Sequence, residues 1–326
     1  MNSRAAAVTK VAGFAAALAV AFGGAWAAGA QVGPVSSSSG ADDSHGHAPA
    51  DPRKAEAEEE QMSGTTSTGA TVPGLAVAQD GYRLVLADSV IDPGSRPVSF
   101  TIEGPGGEPV RRFDVEHEKQ LHLIVVRRDH TGFQHLHPVL DEVTGTWTAE
   151  AELTPGTWRV YPDFTATGGP ALVLGSDLLV PGELTAPDPV RERRTDGVDG
   201  CAVAVDGTLR PGEHSPLTLS VTKGGQPVTD LQPYLGAYGH LVALREGDLG
   251  YLHVPPAGEP GDGRTPSGPD IEFGVQVPSA GRYHLYLDFQ HDDVVRTAHV
   301  VLDAGGAPRQ AADPTSYEHD DCDHAH

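Results

Sequence analysis

A chain of 326 residues has room for two ordinary domains and their tails. Its 22 Lys and Arg stand against 45 Asp and Glu, a formal net charge of −23, which repels phosphate backbones and excludes nucleic acid as a partner. Two cysteines, Cys201 and Cys322, make neither a disulfide framework nor a C-x-x-C motif, and 40 Gly with 27 Pro point to an all-β chain dense in turns.

At the N-terminus (residues 1–30), Arg4 and Lys10 precede an uncharged run from Val11 to Ala30. A basic flank followed by about 20 apolar residues is what a single-pass anchor or a long signal peptide requires. Ala25-Trp26-Ala27 and Ala28-Gly29-Ala30 offer cleavage sites, but the length of the run favours an uncleaved anchor. Positive charge ahead of the span places the bulk outside the cytoplasm in both cases, tethered to the cell membrane or, if the signal is cut, secreted. Residues 31–73 are poor in hydrophobics and rich in Ser, Gly, Ala and acids, the composition of a flexible stalk, with a short helix expected near Lys54 to Gln61. Asp42-Asp43-Ser44-His45-Gly46-His47 in this stalk is matched in the C-terminal tail (304–326) by His319-Asp320-Asp321-Cys322-Asp323-His324-Ala325-His326. Such His/Asp tracts read either as loose metal-binding segments or as solvated acidic tails.

Residues 74–182 carry strand-like runs at Tyr82–Ala87, Val98–Ile102, Leu121–Arg127, Phe133–Leu140, Thr146–Leu153, Gly156–Phe164 and Asp177–Val180, punctuated by Gly and Pro turns. Short strands at this spacing spell an immunoglobulin-like β-sandwich. A charged linker follows (183–197), and residues 198–303 then repeat the first half. Val98-Ser99-Phe100-Thr101-Ile102 returns as Leu217-Thr218-Leu219-Ser220-Val221, and Trp158-Arg159-Val160-Tyr161-Pro162-Asp163-Phe164 as Tyr283-His284-Leu285-Tyr286-Leu287-Asp288-Phe289. The chain therefore reads as two tandem sandwiches made by duplication.

The histidines follow the same repeat. Leu121-His122-Leu123-Ile124-Val125-Val126 and Phe133-Gln134-His135-Leu136-His137-Pro138 form one hairpin, and His240 and His253 take the places of His122 and His135 in the second. With turns centred on Arg128-Asp129 and Glu246-Gly247, His122 falls opposite His135, and His240 opposite His253. Opposed side chains on one face of a sheet stand roughly 4.5–5.5 Å apart, close enough for two imidazoles to share an ion. His137 points the same way by the two-residue period. His122, His135 and His137 are thus candidate metal ligands in the first repeat, with His117 and Asp163 either as further ligands or as partners that fix the tautomer of an imidazole, the role read for Asp163. His240, His253 and Asp288 form the weaker second set, with His284 on the same strand face as Asp288 by the two-residue period and Pro255 in the place of His137. The alternative is inherited packing, a strand-end histidine satisfied by a carboxylate or a carbonyl. Imidazole and carboxylate without sulfur favour Cu(II) or Zn(II) over Cu(I). No Cys lies near a hairpin, which disfavours a blue-copper role. No hydrolase, P-loop or dinucleotide motif is present, and His117-Glu118-Lys119-Gln120-Leu121-His122 misses the H-E-x-x-H spacing, so the expectation is a protein that is not an enzyme.

These motifs resemble a largely uncharacterised family of bacterial exported or membrane-anchored proteins. Some relatives carry heavy-metal-binding descriptions or look like copper-handling, cupredoxin-like periplasmic sandwich domains. The resemblance covers about residues 75–303 and implies an extracytoplasmic location and metal handling. Val254-Pro255-Pro256 departs from the family's second His-x-His-Pro motif. Two functions follow as expectations: a tethered protein that sequesters or delivers Cu(II) or Zn(II), or a cell-envelope module that binds a protein partner and no metal.

Overall fold

Along strand after strand a buried side chain alternates with an exposed one, as in Cys201–Gly207, where Cys201, Val203 and Val205 turn inward. The structure is a computed structural model and describes residues 72–185 and 187–305. The Val11–Ala30 run, the expected helix near Lys54 to Gln61, the His/Asp tracts and Cys322 lie outside the described residues. Among the described residues no helix is long and apolar enough to cross a membrane.

The first half carries β1 (Ala78–Gln79), β2 (Tyr82–Leu86), β3 (Gly94–Glu103), β4 (Leu121–Arg127), β5 (Gln134–Leu136), β6 (Val139–Asp141), β7 (Thr146–Leu153), β8 (Gly156–Thr165), β9 (Ala171–Val173) and β10 (Ser176–Val180). The second carries β11 (Thr195–Val198), β12 (Cys201–Gly207), β13 (His214–Lys223), β14 (Gln226–Pro227), β15 (His240–Arg245), β16 (Tyr251–Val254), β17 (Asp270–Gln276), β18 (Gly281–His291) and β19 (Val294–Ala304). In the first half an outer sheet ordered β1-β2-β3-β7-β6 faces an inner sheet ordered β10-β8-β4-β5, with β9 on β8. In the second half an outer sheet β11-β12-β13-β14, with β17 on β13, faces an inner sheet β16-β15-β18-β19. Each pair of sheets encloses its own core, built on Phe100, Trp147 and Trp158 in one half and on Leu219, Phe273 and Phe289 in the other. The protein is all-β, with the immunoglobulin-like sandwich architecture built twice.

A third core lies between the two inner sheets, where Ile124, Val126 and Tyr161 pack with Val242, Leu244, Leu249, Tyr251 and Tyr286. Strand β4 is consequently buried on both faces, which is why Leu123–Val126 read as an unbroken apolar run instead of alternating. Fully burying a large apolar side chain is worth about 1.5–3 kcal/mol, so this seam contributes on the order of 10 kcal/mol. Its polar atoms are satisfied reciprocally. The Tyr161 hydroxyl donates to the Leu249 carbonyl (2.8 Å) in the second repeat's hairpin turn, and the Tyr286 hydroxyl donates to the His130 carbonyl (2.7 Å) in the first. That reciprocity is the signature of an isologous, twofold-like contact.

Three expectations are corrected. The run Phe133–Leu140 is two strands: β5 pairs in the inner sheet and β6 in the outer one, because Pro138 has no N–H to continue the ladder and the chain changes sheets there. The last residues of the stretch read as a linker pair with β12 as β11. Finally, both hairpins are shifted by two residues. His135 stands opposite Ile124, and His253 opposite Val242. The turns are longer than expected: Arg127 N bonds Thr131 O, Arg245 N bonds Gly250 O, and His130 and Leu249 take left-handed backbone (φ 65° and 61°). A shift of two keeps every side chain on its face, so the histidines still share one.

Candidate metal centre

His122 is the first polar side chain on the seam face of β4, and it is buried. Its strand neighbour across β8 is Asp163, and the equivalent pair in the second repeat is His240 and Asp288. Carried one step beyond Leu136, the hairpin register sets His137 against His122, and the three imidazoles of His122, His135 and His137 form a triangle with ring centres 5.0–5.2 Å apart. One ring nitrogen from each lies within 4.8 Å of the other two.

Hydrogen bonds assign the tautomers. His122 Nε2 faces the Glu116 carbonyl at 3.2 Å; a carbonyl only accepts, so Nε2 carries the proton and Nδ1 of the neutral ring is a lone pair. His135 Nδ1 donates to Asp288 Oδ2 at 2.7 Å, which leaves Nε2 as the lone pair. These two nitrogens, His122 Nδ1 and His135 Nε2, face each other at 3.0 Å. Two lone pairs at that distance repel unless a proton on His135 or a cation stands between them. Tetrahedral ligands at a Zn–N distance of 2.0–2.1 Å stand about 3.3 Å apart, near the spacing seen here. His137 Nε2 is buried and has no hydrogen-bond partner. Burial first, then the neighbouring His135, lowers His122 to about 4 and His137 to about 3, so both are neutral, with their lone pairs available, near pH 7.

The carboxylates act across the repeats, not within them. Asp163, expected to orient a first-repeat imidazole, instead accepts from His253 Nδ1 (3.1 Å) and from the Tyr251 hydroxyl (3.1 Å). Asp288, expected beside His240 and His253, serves His135, while its Oδ1 accepts from Thr297 Oγ1 at 2.5 Å. Burial lowers His253, but the hydrogen bond and charge of Asp163 outweigh it and leave the ring raised. His240 Nε2 donates to the Tyr234 carbonyl at 2.9 Å, and burial lowers this ring to about 4. The two expected sites are therefore one cluster at the end of the seam. His117 joins it, with its ring 5.4 Å from both His240 and His253.

A second histidine group lies outside the hairpin pairs that the sequence displays. At a different part of the seam His130 stacks on His284 (3.7 Å, 7°), and His284 Nδ1 lies 2.9 Å from His299 Nε2. Only the parity of His284 on β18 pointed towards it.

Fold and site together define a tandem β-sandwich protein with an imidazole-rich seam between its two halves. The chain belongs to the family described as Domain of unknown function (DUF8832), whose model matches residues 76–173 and 196–306. No curated protein matches it. Among solved structures, a Salmonella alpha-2-macroglobulin variant is 12% identical over 72% of this chain and 15% of its own, with a TM-score of 0.24. A Corynebacterium diphtheriae protein described as membrane anchored is 11% identical over 72% and 60%, with a TM-score of 0.21. A chicken tenascin segment of two fibronectin type-III domains is 10% identical over 68% and 97%, with a TM-score of 0.20. The chain spans a small part of the first of these proteins and under two thirds of the second. At such scores the likenesses carry no argument about the site.

Proposed function

We propose that this protein is a membrane-tethered, extracytoplasmic metal-binding protein that sequesters or delivers Cu(II) or Zn(II) and catalyses no reaction. His122, His135 and His137 hold the ion, Asp288 fixes the tautomer of His135, and the His/Asp tails collect ions loosely. The observation that carries this reading is the pair of lone pairs, His122 Nδ1 and His135 Nε2, aimed at each other at 3.0 Å beside the partnerless His137 Nε2. An all-imidazole set suits borderline divalent ions, and the net charge of −23 draws cations to the surface.

A proton on His135 would relieve the same repulsion, and equilibrium dialysis separates the two. The full chain, with His45, His47, His319, His324 and His326 changed to Asn, should take up Cu(II) or Zn(II) stoichiometrically. His122→Ala and His137→Ala should each lose one equivalent. Absence of uptake would overturn the reading and leave the envelope interaction module in its place.

A further inference from the structure

His240 and His253 repeat the tautomer pattern of the first pair. The Tyr234 carbonyl holds the proton on His240 Nε2 and the Asp163 carboxylate holds it on His253 Nδ1, so their lone pairs are at Nδ1 and Nε2, as in His122 and His135. What this pair lacks from its own repeat is a third imidazole, since Pro255 stands where the first repeat has His137. The first repeat supplies one. A tight turn closed by Glu116 and Lys119, whose backbones exchange hydrogen bonds of 2.8 and 3.0 Å, carries His117 at its tip with φ 46°. Its ring lies 5.4 Å from each of the other two, close to the 5.0–5.2 Å spacing within the first triad. Between the repeats His122, His135, Asp163, His240 and His253 border a cavity of about 10 Å³, the space of a single water or ion.

We propose that His240 and His253 from the second repeat, which border this cavity, and His117 from the first, whose ring stands beside both, form a second divalent-cation site. Asp163 plays there the part that Asp288 plays at the first site. Each ion thus depends on residues of both repeats, and two carboxylates, Asp288 buried and Asp163 partly so, offset the charge of the paired cations. Among the described residues only His122, His135 and His137 already have donor atoms within 4.8 Å of one another. His117, His240 and His253 stand wider apart than this, so an ion bound there draws the three rings together. The proposal rests on the metal-binding reading above and deepens it.

The test is isothermal titration of the full chain, with the five tail histidines changed to Asn, with Zn(II). Two equivalents should bind. His117→Asn, a residue that tolerates the left-handed backbone, should lose one equivalent and leave the affinity of the other unchanged. His137→Asn should lose the opposite one, and the double variant should lose both, with each variant's circular dichroism matching the parent. A single equivalent in the parent that survives His117→Asn unchanged overturns the second site while the metal-binding reading stands. No binding by the parent overturns both.

Discussion

Asp288 shows what one carboxylate decides in this molecule. Its Oδ2 accepts a hydrogen bond from His135 Nδ1 at 2.7 Å, with the side chain almost wholly buried, so Nε2 is the nitrogen left as a lone pair. Such outer partners typically change metal affinity 10- to 100-fold when removed. Asp288→Asn should therefore weaken binding at His122, His135 and His137 by about that factor, although Asp288 belongs to the other repeat. Asp163→Asn should weaken that site far less, because its carboxylate is hydrogen-bonded to His253 and to none of the three ligands. Chelator competition measures both, and equal losses from the two variants would refute the crossed arrangement. The sequence displays both aspartates as matching Asp-Phe pairs, and with them the candidate imidazoles. Which repeat's histidine each carboxylate serves depends on how two sheets dock, and no spacing along the chain encodes that.

At the scale of elements, the strands themselves were legible. Thr146–Leu153 and Leu121–Arg127 have the bounds their composition predicts, since alternation and Gly/Pro punctuation are local signals. The seam was not legible, for a physical reason. A run such as Leu121–Val126 has the same composition whether it lies deep in one sandwich or between two, and period-two alternation vanishes in both cases. The turns deceived for a different reason. The Asp129 carboxylate accepts from Thr131 N (3.1 Å) and Oγ1 (2.6 Å), stabilising a loop longer than the two-residue turn the spacing implied. Double burial has a measurable consequence. Leu244, fully buried in the seam core, should cost about 2–5 kcal/mol on change to Ala, while Val139→Ala on β6, 75% exposed, should cost close to nothing. Urea unfolding of the two variants checks this, and comparable small losses would mean that the inner sheets do not pack.

For the whole molecule, the seam is also where acid should act. Arg193 Nη2 faces His299 Nδ1 at 3.3 Å, and a guanidinium only donates, so His299 carries its proton on Nε2 and gives it to His284 Nδ1. His284 Nε2 then carries the remaining proton, buried without a partner, and the ring stacks on His130. Burial first, with neighbouring positive charge at His284 and His299, lowers His130 and His299 to about 4 and His284 to about 2. In the unfolded chain each would titrate near 6.5. Because each folded value lies below the unfolded one, the unfolded state binds more protons between them, and stability falls as pH drops. The contribution is intact above about pH 6.5 and declines below it, by on the order of 3 kcal/mol per group at pH 4. The raised His253 works in the opposite sense but is a single group. Part of the lowering of His284 and His299 comes from their charged neighbours in the same stack, so the three losses overlap instead of adding, but all act in one direction, and the thermal midpoint should fall between pH 6.5 and 4. His284→Phe keeps a ring in the stack and removes the group that resists protonation most strongly, so its midpoint should fall less over the same range. Parallel curves for the variant and the parent, followed by circular dichroism across that interval, would place the acid sensitivity elsewhere.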